Sequence, residues 1–160
     1  MPEKYEALKE MMPMKEGLVV GVCVSEKRGT GKVNVGKGYL AKDYGLIGDA
    51  HAGSERPLSI LPLELIERVA SEKGIKANPG DFAENITVKG IDMGGIRPGT
   101  RMSIGEAEVE VIQIGKEIDA SHTFSFHGIA LLVSEGCFCR VVRSGRVKIG
   151  DSVRLLEEFN

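Results

Sequence analysis

The chain has 160 residues, a length for one domain with one sizeable core, and its formal net charge of -2 excludes a chain-wide electrostatic pull towards nucleic acid or anionic membrane. Its three cysteines, Cys23, Cys137 and Cys139, follow no zinc-finger spacing and argue against a disulfide framework. Charges run through Met1 to Lys15 where a signal peptide would be apolar, so a cytoplasmic protein with neither nucleic acid nor membrane as partner is expected.

In chain order, Pro2 to Met12 carries helix formers that Pro13 and Gly17 stop, so residues 1–16 read as an N-terminal arm able to form a short helix. Residues 17–157 read as a single domain. Leu18 to Val24 is a strand by alternation, with Leu18, Val20, Val22 and Val24 on one face. Next comes Lys27-Arg28-Gly29-Thr30-Gly31-Lys32. A nucleotide P-loop would need glycine at Glu26 and Ser or Thr at Val33, so this segment reads as a solvated basic turn before a strand over Lys32 to Leu40. Leu58 to Leu61 is a strand, and Pro62 to Lys73 is the one substantial helix, ended by Gly74. A turn cluster, Ala77 to Phe82, precedes a strand beginning at Ala83, with Glu84 and Asn85 at its mouth on opposite faces. Arg101 to Ile104 and Ala107 to Ile114 form a hairpin across Gly105-Glu106. A second hairpin is read around Ser144-Gly145, and Ser152 to Leu156 is the last strand. Strands following strands, with one or two helices, predict a mainly β, barrel-like domain of mixed and antiparallel short strands.

Two segments fit no packed element. Gly48-Asp49-Ala50-His51-Ala52-Gly53-Ser54-Glu55-Arg56 sets an acid, an imidazole and a guanidinium among glycines, residues that resist burial without partners. Arg56 can fork two donors onto a phosphate or carboxylate, His51 can donate or accept, and the amides near Gly48 and Gly53 can approach an anion. Each has a plainer reading: His51 satisfying its own loop, Arg56 clamping Asp49 or Glu84, Asn85 capping a turn. The second segment, Gly115 to Gly128, interleaves Lys116, Glu117, Asp119, His122 and His127 with Phe124 and Phe126. A hard-metal site there matches no defined zinc spacing, a solvated loop is the simpler account, and the two phenylalanines read as core or pocket wall. Cys137 and Cys139 alternate on one strand face, where they act either as small apolar core residues or as a vicinal pair able to hold a soft metal or a persulfide. Cys23 reads as core.

Four separated motifs in register carry a resemblance: Gly48 to Gly53 with Arg56; Pro79-Gly80-Asp81-Phe82-Ala83-Glu84-Asn85-Ile86-Thr87; Pro98-Gly99-Thr100; and Phe138-Cys139-Arg140-Val141-Val142 with Gly145-Arg146-Val147 and Gly150-Asp151. Over Gly17 to Leu156 the chain resembles the MOSC domain, the molybdenum cofactor sulfurase C-terminal domain, in a small stand-alone form. The resemblance implies a β-barrel whose pocket binds molybdenum cofactor, or a related anionic pterin, and handles the cofactor or its sulfur. It assigns Asp49, His51, Arg56, Asn85, Lys116 and His122 to cofactor binding, with a sulfurase or molybdoenzyme as protein partner. A link to pyridoxal phosphate is implied through fused sulfurases, although no Schiff-base lysine stands out beyond Lys116. In one respect the chain departs from the family. Many members place a reactive cysteine just past an Ile-Gly-Lys-like triplet, whereas here Ile114-Gly115-Lys116 is followed by Glu117 to His122 without one. Only Cys137 and Cys139 remain as candidate catalytic thiols, and the alternative is a non-catalytic interaction or anion-binding domain that has lost the reactive cysteine.

Overall fold

The computed structural model describes residues 15–117 and 123–156, so the helix read over Pro2 to Met12 lies outside the described residues. Eleven strands run in chain order: β1 (Glu16–Val24), β2 (Val33–Asn34), β3 (Lys37–Ala41), β4 (Gly45–Leu46), β5 (Leu58–Pro62), β6 (Ile86–Lys89), β7 (Arg101–Ile104), β8 (Ala107–Ile114), β9 (Cys137–Arg143), β10 (Gly145–Lys148) and β11 (Ser152–Leu155). Two helices interrupt them, α1 (Leu63–Lys73) after β5 and the short α2 (Leu131–Glu135) before β9. Seven strands close a barrel in the order β11-β7-β8-β9-β5-β6-β1, with β1 returning to β11. Every pairing is antiparallel except β5 with β6, which the crossover through α1 makes parallel. No helix among the described residues is long and apolar enough to cross a membrane.

Alternation decides which residues fill the barrel. Val109 and Val111 of β8, Ile86 and Val88 of β6, and Leu58 and Ile60 of β5 point into one cluster with Cys137, Cys139 and Val141 of β9. Each such aliphatic side chain contributes about 1.5–3 kcal/mol when removed from water. A second cluster lies on the outer face, where Leu61 and Phe138 meet Leu65 and Ile66 of α1, Leu131 and Leu132 of α2, and Phe82. Helix α1 ends at Gly74, whose φ of 66° is the left-handed conformation that lets its N–H cap Ala70 and Ser71.

Three expectations change on folding. A bulge between Val19 and Gly21 breaks the alternation of β1, so Val19 and Val22 enter the core while Leu18 is 43% exposed. The strand read over Lys32 to Leu40 splits at Gly36 into β2 and β3. The hairpin read around Ser144-Gly145 is not formed: β10 pairs with β3, in a small sheet ordered β10-β3-β4, rather than with β9. Gly145 packs so tightly against the Glu106 and Ala107 backbone that a Cβ would sit 2.4 Å from the Glu106 carbonyl carbon, and this contact steers β10 away from β9.

Candidate functional site

The segment Gly48–Arg56 folds as consecutive turns between β4 and β5, and several of its amides are taken by carbonyls of the loop and its neighbours. Asp49 N–H donates to the Leu46 carbonyl, Ala50 to Ser25, Ala52 to Asp49, Gly53 to Tyr44 and Ser54 to His51. The Gly53 amide is therefore not an anion donor, since its N–H is taken by the Tyr44 carbonyl oxygen at 2.7 Å.

Asp49 is the buried pivot. Its Oδ1 accepts from the Ser25 amide at 3.1 Å and from Lys32 Nζ at 2.7 Å, and its Oδ2 accepts from the His51 amide at 3.1 Å. Burial alone would raise the Asp49 carboxyl, but the His51 and Lys32 side chains and the Ser25 amide outweigh it and hold it well below the usual carboxylate range. Lys32 also reaches Ser25 Oγ at 3.0 Å and His51 Nδ1 at 3.2 Å. An ammonium has three donors and no acceptor, so its three contacts are Asp49, Ser25 and His51. With Lys32 donating, His51 Nδ1 accepts, which puts the proton of the half-exposed ring on Nε2.

Lys27 to Gly31 form the exposed turn expected, but Lys32 at its end departs from that reading: its side chain is 1% exposed. Its aliphatic stem carries the ammonium inward to a carboxylate that has no other cation in hydrogen-bonding range. Nothing in the local pattern separates Lys32 from Lys27 and Arg28. The signal available was Asp49 itself, because an acid placed to be buried requires a cation from elsewhere in the chain.

Two further cations converge from separate loops. The Arg56 guanidinium carbon lies 5.7 Å from the centre of the Phe138 ring, and Lys116 Nζ lies 5.8 Å from it. Burial, then the positive charges of Arg56 and Lys32, pull the Lys116 ammonium below its usual pKa. Among the described residues no carboxylate pairs with Arg56 or Lys116, so the clamp from Arg56 to Asp49 or Glu84 is not made. Phe138 belongs to the site as the shared ring beneath both cations. Sequence alternation shows only that it is apolar.

Asn85 is placed differently from these groups. It is buried, its Oδ1 accepts from the Ser59 amide at 3.0 Å, and its Nδ2 donates to the Cys23 carbonyl at 3.1 Å. It therefore staples β1, β5 and the mouth of β6. Glu84 beside it is also fully buried, so both residues are enclosed, each with its own set of partners. Its Oε2 accepts from Gly80 N–H at 3.0 Å and Thr87 Oγ at 2.6 Å, while Oε1 has no partner among the described residues. Burial outweighs those hydrogen bonds and raises the Glu84 carboxyl. Cys23 sits against the same loop, and burial, reinforced by Glu84, pushes its thiol up to about 12.

Cys137 and Cys139 point into the barrel core, 3.8 Å apart at sulfur, on the face of β9 opposite Phe138. His122 and Asp119 lie outside the described residues. His127 is exposed, its ring edge-on to Phe126 at 4.5 Å, and Phe126 packs on Phe82 at 5.4 Å, so these aromatics serve as wall. Among the described residues no group of three or more His, Cys, Asp or Glu side chains is placed to hold a metal ion.

A closed barrel with one outer helical layer and a polar loop centred on Asp-x-His defines the class, and the MOSC domain model matches residues 48–154. The chain belongs to the MOSC domain family. Among solved structures it is similar to the YuaD protein from Bacillus subtilis, at 19% identity and a TM-score of 0.69 over 90% of this chain and 97% of that one. It is also similar to YiiM from Escherichia coli, at 22% identity and a TM-score of 0.64 over 91% and 71%. YiiM from Geobacillus stearothermophilus gives 19% and 0.62 over 91% and 76%. These identities establish the fold alone. No curated protein matches the sequence.

Proposed function

We propose that this chain binds a small anionic ligand of the molybdenum cofactor class, a phosphate-bearing pterin, and holds or passes on that cofactor without using a cysteine of its own. The observation that carries the reading is the convergence of Lys32, Arg56 and Lys116 with Asp49 as the one carboxylate bonded among them. Like charges brought together and partly desolvated are costly unless an anion completes the site. Arg56 and Lys116 supply the charge-assisted donors, His51 Nε2 supplies a neutral one, and the buried Lys32–Asp49 pair orients His51. Such a donor set fits the phosphate of the cofactor. It does not fit thiolate ligation of molybdenum, because Cys23 is buried under the Gly80 loop and Cys137 and Cys139 lie inside the barrel. When bound, the cofactor brings its own molybdenum, and this chain contributes charge and hydrogen bonds to its anionic part.

The same cysteine placement supports the second reading, an anion-binding or interaction domain without cofactor chemistry, and one experiment separates the two. Molybdenum content and pterin fluorescence are measured on protein purified from a cofactor-producing host, for wild type and Arg56→Ala/Lys116→Ala. Loss of charge-assisted hydrogen bonds worth about 1.5–3 kcal/mol each predicts at least a tenfold drop in retention. Wild type lacking both molybdenum and pterin, yet stabilised by inorganic phosphate, would favour the second reading. Undiminished cofactor in the double variant would remove the proposed site.

A further inference from the structure

After β6 the segment Ile91 to Ile96 lies across the barrel, with Ile91, Met93 and Ile96 packed on the interior cluster. Beside it a cavity of about 660 Å³ opens between this segment, α1 and the ends of β8 and β9. Leu65, Ile91, Met93, Ile114 and Cys137 line its wall. The charged side chains around it are Glu64, Asp92 and Glu135 against the single base Arg68, an excess of acid that favours a cation. None of these residues belongs to the cationic pocket.

Behind Cys137 stands Cys139. The two sulfurs are 3.8 Å apart, and each thiol has the other as its hydrogen-bonding partner. Cys139 is fully buried and Cys137, 3% exposed, is the member of the pair that lines the cavity. We propose that Cys137 and Cys139 form a dithiolate site for one soft monovalent metal ion of the copper(I) class, admitted through this cavity. Thiolates and thioethers select such ions over hard ones. A structural zinc ion would require about four ligands, and no third His, Cys, Asp or Glu joins the pair among the described residues. At metal–sulfur bonds of about 2.3 Å, the 3.8 Å separation corresponds to a sulfur–metal–sulfur angle of roughly 110°. That bent geometry leaves a coordination position open, and the wall of the same cavity includes the thioether residue Met93. Binding replaces both thiol protons, which leave to bulk water. Because a thiol must lose its proton to ligate, uptake strengthens as pH rises.

The test is titration of the full chain with copper(I), kept reduced by ascorbate, against a colorimetric copper(I) chelator, followed by X-ray absorption at the copper edge. One copper per chain with sulfur in the first shell is expected. Cys137→Ala and Cys139→Ala should each weaken binding at least tenfold, and Cys23→Ala should bind as wild type does. Alanine keeps the barrel apolar, and circular dichroism checks each fold. The absorption spectrum of wild type decides independently of any variant. A shell of nitrogen and oxygen only, no copper held by wild type, or full binding by Cys137→Ala/Cys139→Ala would overturn the proposal.

Discussion

Replacing Asp49 with alanine leaves Lys32 Nζ inside the protein without its carboxylate. The two side chains are 1% and 0% exposed, so water cannot easily take the place of the 2.7 Å contact. Ser25 Oγ and His51 Nδ1 remain as neutral partners. Removing one member of a buried ion pair costs about 3–5 kcal/mol, chiefly the penalty of the stranded charge. For a domain with about 5–15 kcal/mol of stability this is a large fraction. At about 2–4 °C per kcal/mol for a chain of this size, the melting temperature should fall by about 6–20 °C. Urea unfolding followed by far-ultraviolet circular dichroism measures the change, at constant m-value. Lys32→Met/Asp49→Ala removes both charges and should be more stable than Asp49→Ala alone, because the stranded ammonium is gone. A loss below about 1 kcal/mol for Asp49→Ala, or a double variant as unstable as the sum of the singles, would refute the reasoning that the pair holds the loop.

Further predictions concern the groups around this pair. Folding raises the Glu84 carboxyl, so the folded state favours the protonated acid, and stability falls as pH climbs above the unfolded value near ~4.3 towards the folded one. Glu84→Gln should therefore be more stable than wild type at pH 7, with the difference closing as pH is lowered to 4; thermal unfolding against pH measures it, and a pH-independent difference would count against the orphaned Oε1 as the cause. Asp49 has the opposite sign, its contribution being present above the unfolded carboxylate value and lost as pH falls below it. Asn85→Ala leaves the Ser59 amide and the Cys23 carbonyl unpaired at about 1–3 kcal/mol each, and should cost about 2–4 kcal/mol in urea unfolding. Arg56→Ala, whose side chain makes no ion pair among the described residues, should cost under about 0.5 kcal/mol. Equal losses in Asn85→Ala and Arg56→Ala would contradict the division between staple and ligand donor.

Local chemistry determined a good part of this protein. The β7–β8 hairpin across Gly105-Glu106, the helix stopped by Gly74 and the strand at Leu58 are legible because turn residues, caps and period-2 alternation act within a few residues. The polar loop Gly48–Arg56 is legible for the converse reason, since its composition permits no packed element, and Asp49, His51 and Arg56 were found there. Tertiary structure decided the rest. Ser144-Gly145 encodes a turn but not which strand pairs next, and close packing on Glu106 and Ala107 sends β10 to β3. Asn85 reads as a ligand donor until the Ser59 amide and the Cys23 carbonyl, 26 and 62 residues away, arrive at its side chain. Lys27, Arg28 and Lys32 are equivalent as sequence, and only the folded chain selects Lys32, because burial of an ammonium depends on a carboxylate 17 residues further on meeting it inside. A residue's environment is local in a turn and a cap, and non-local in a buried charge.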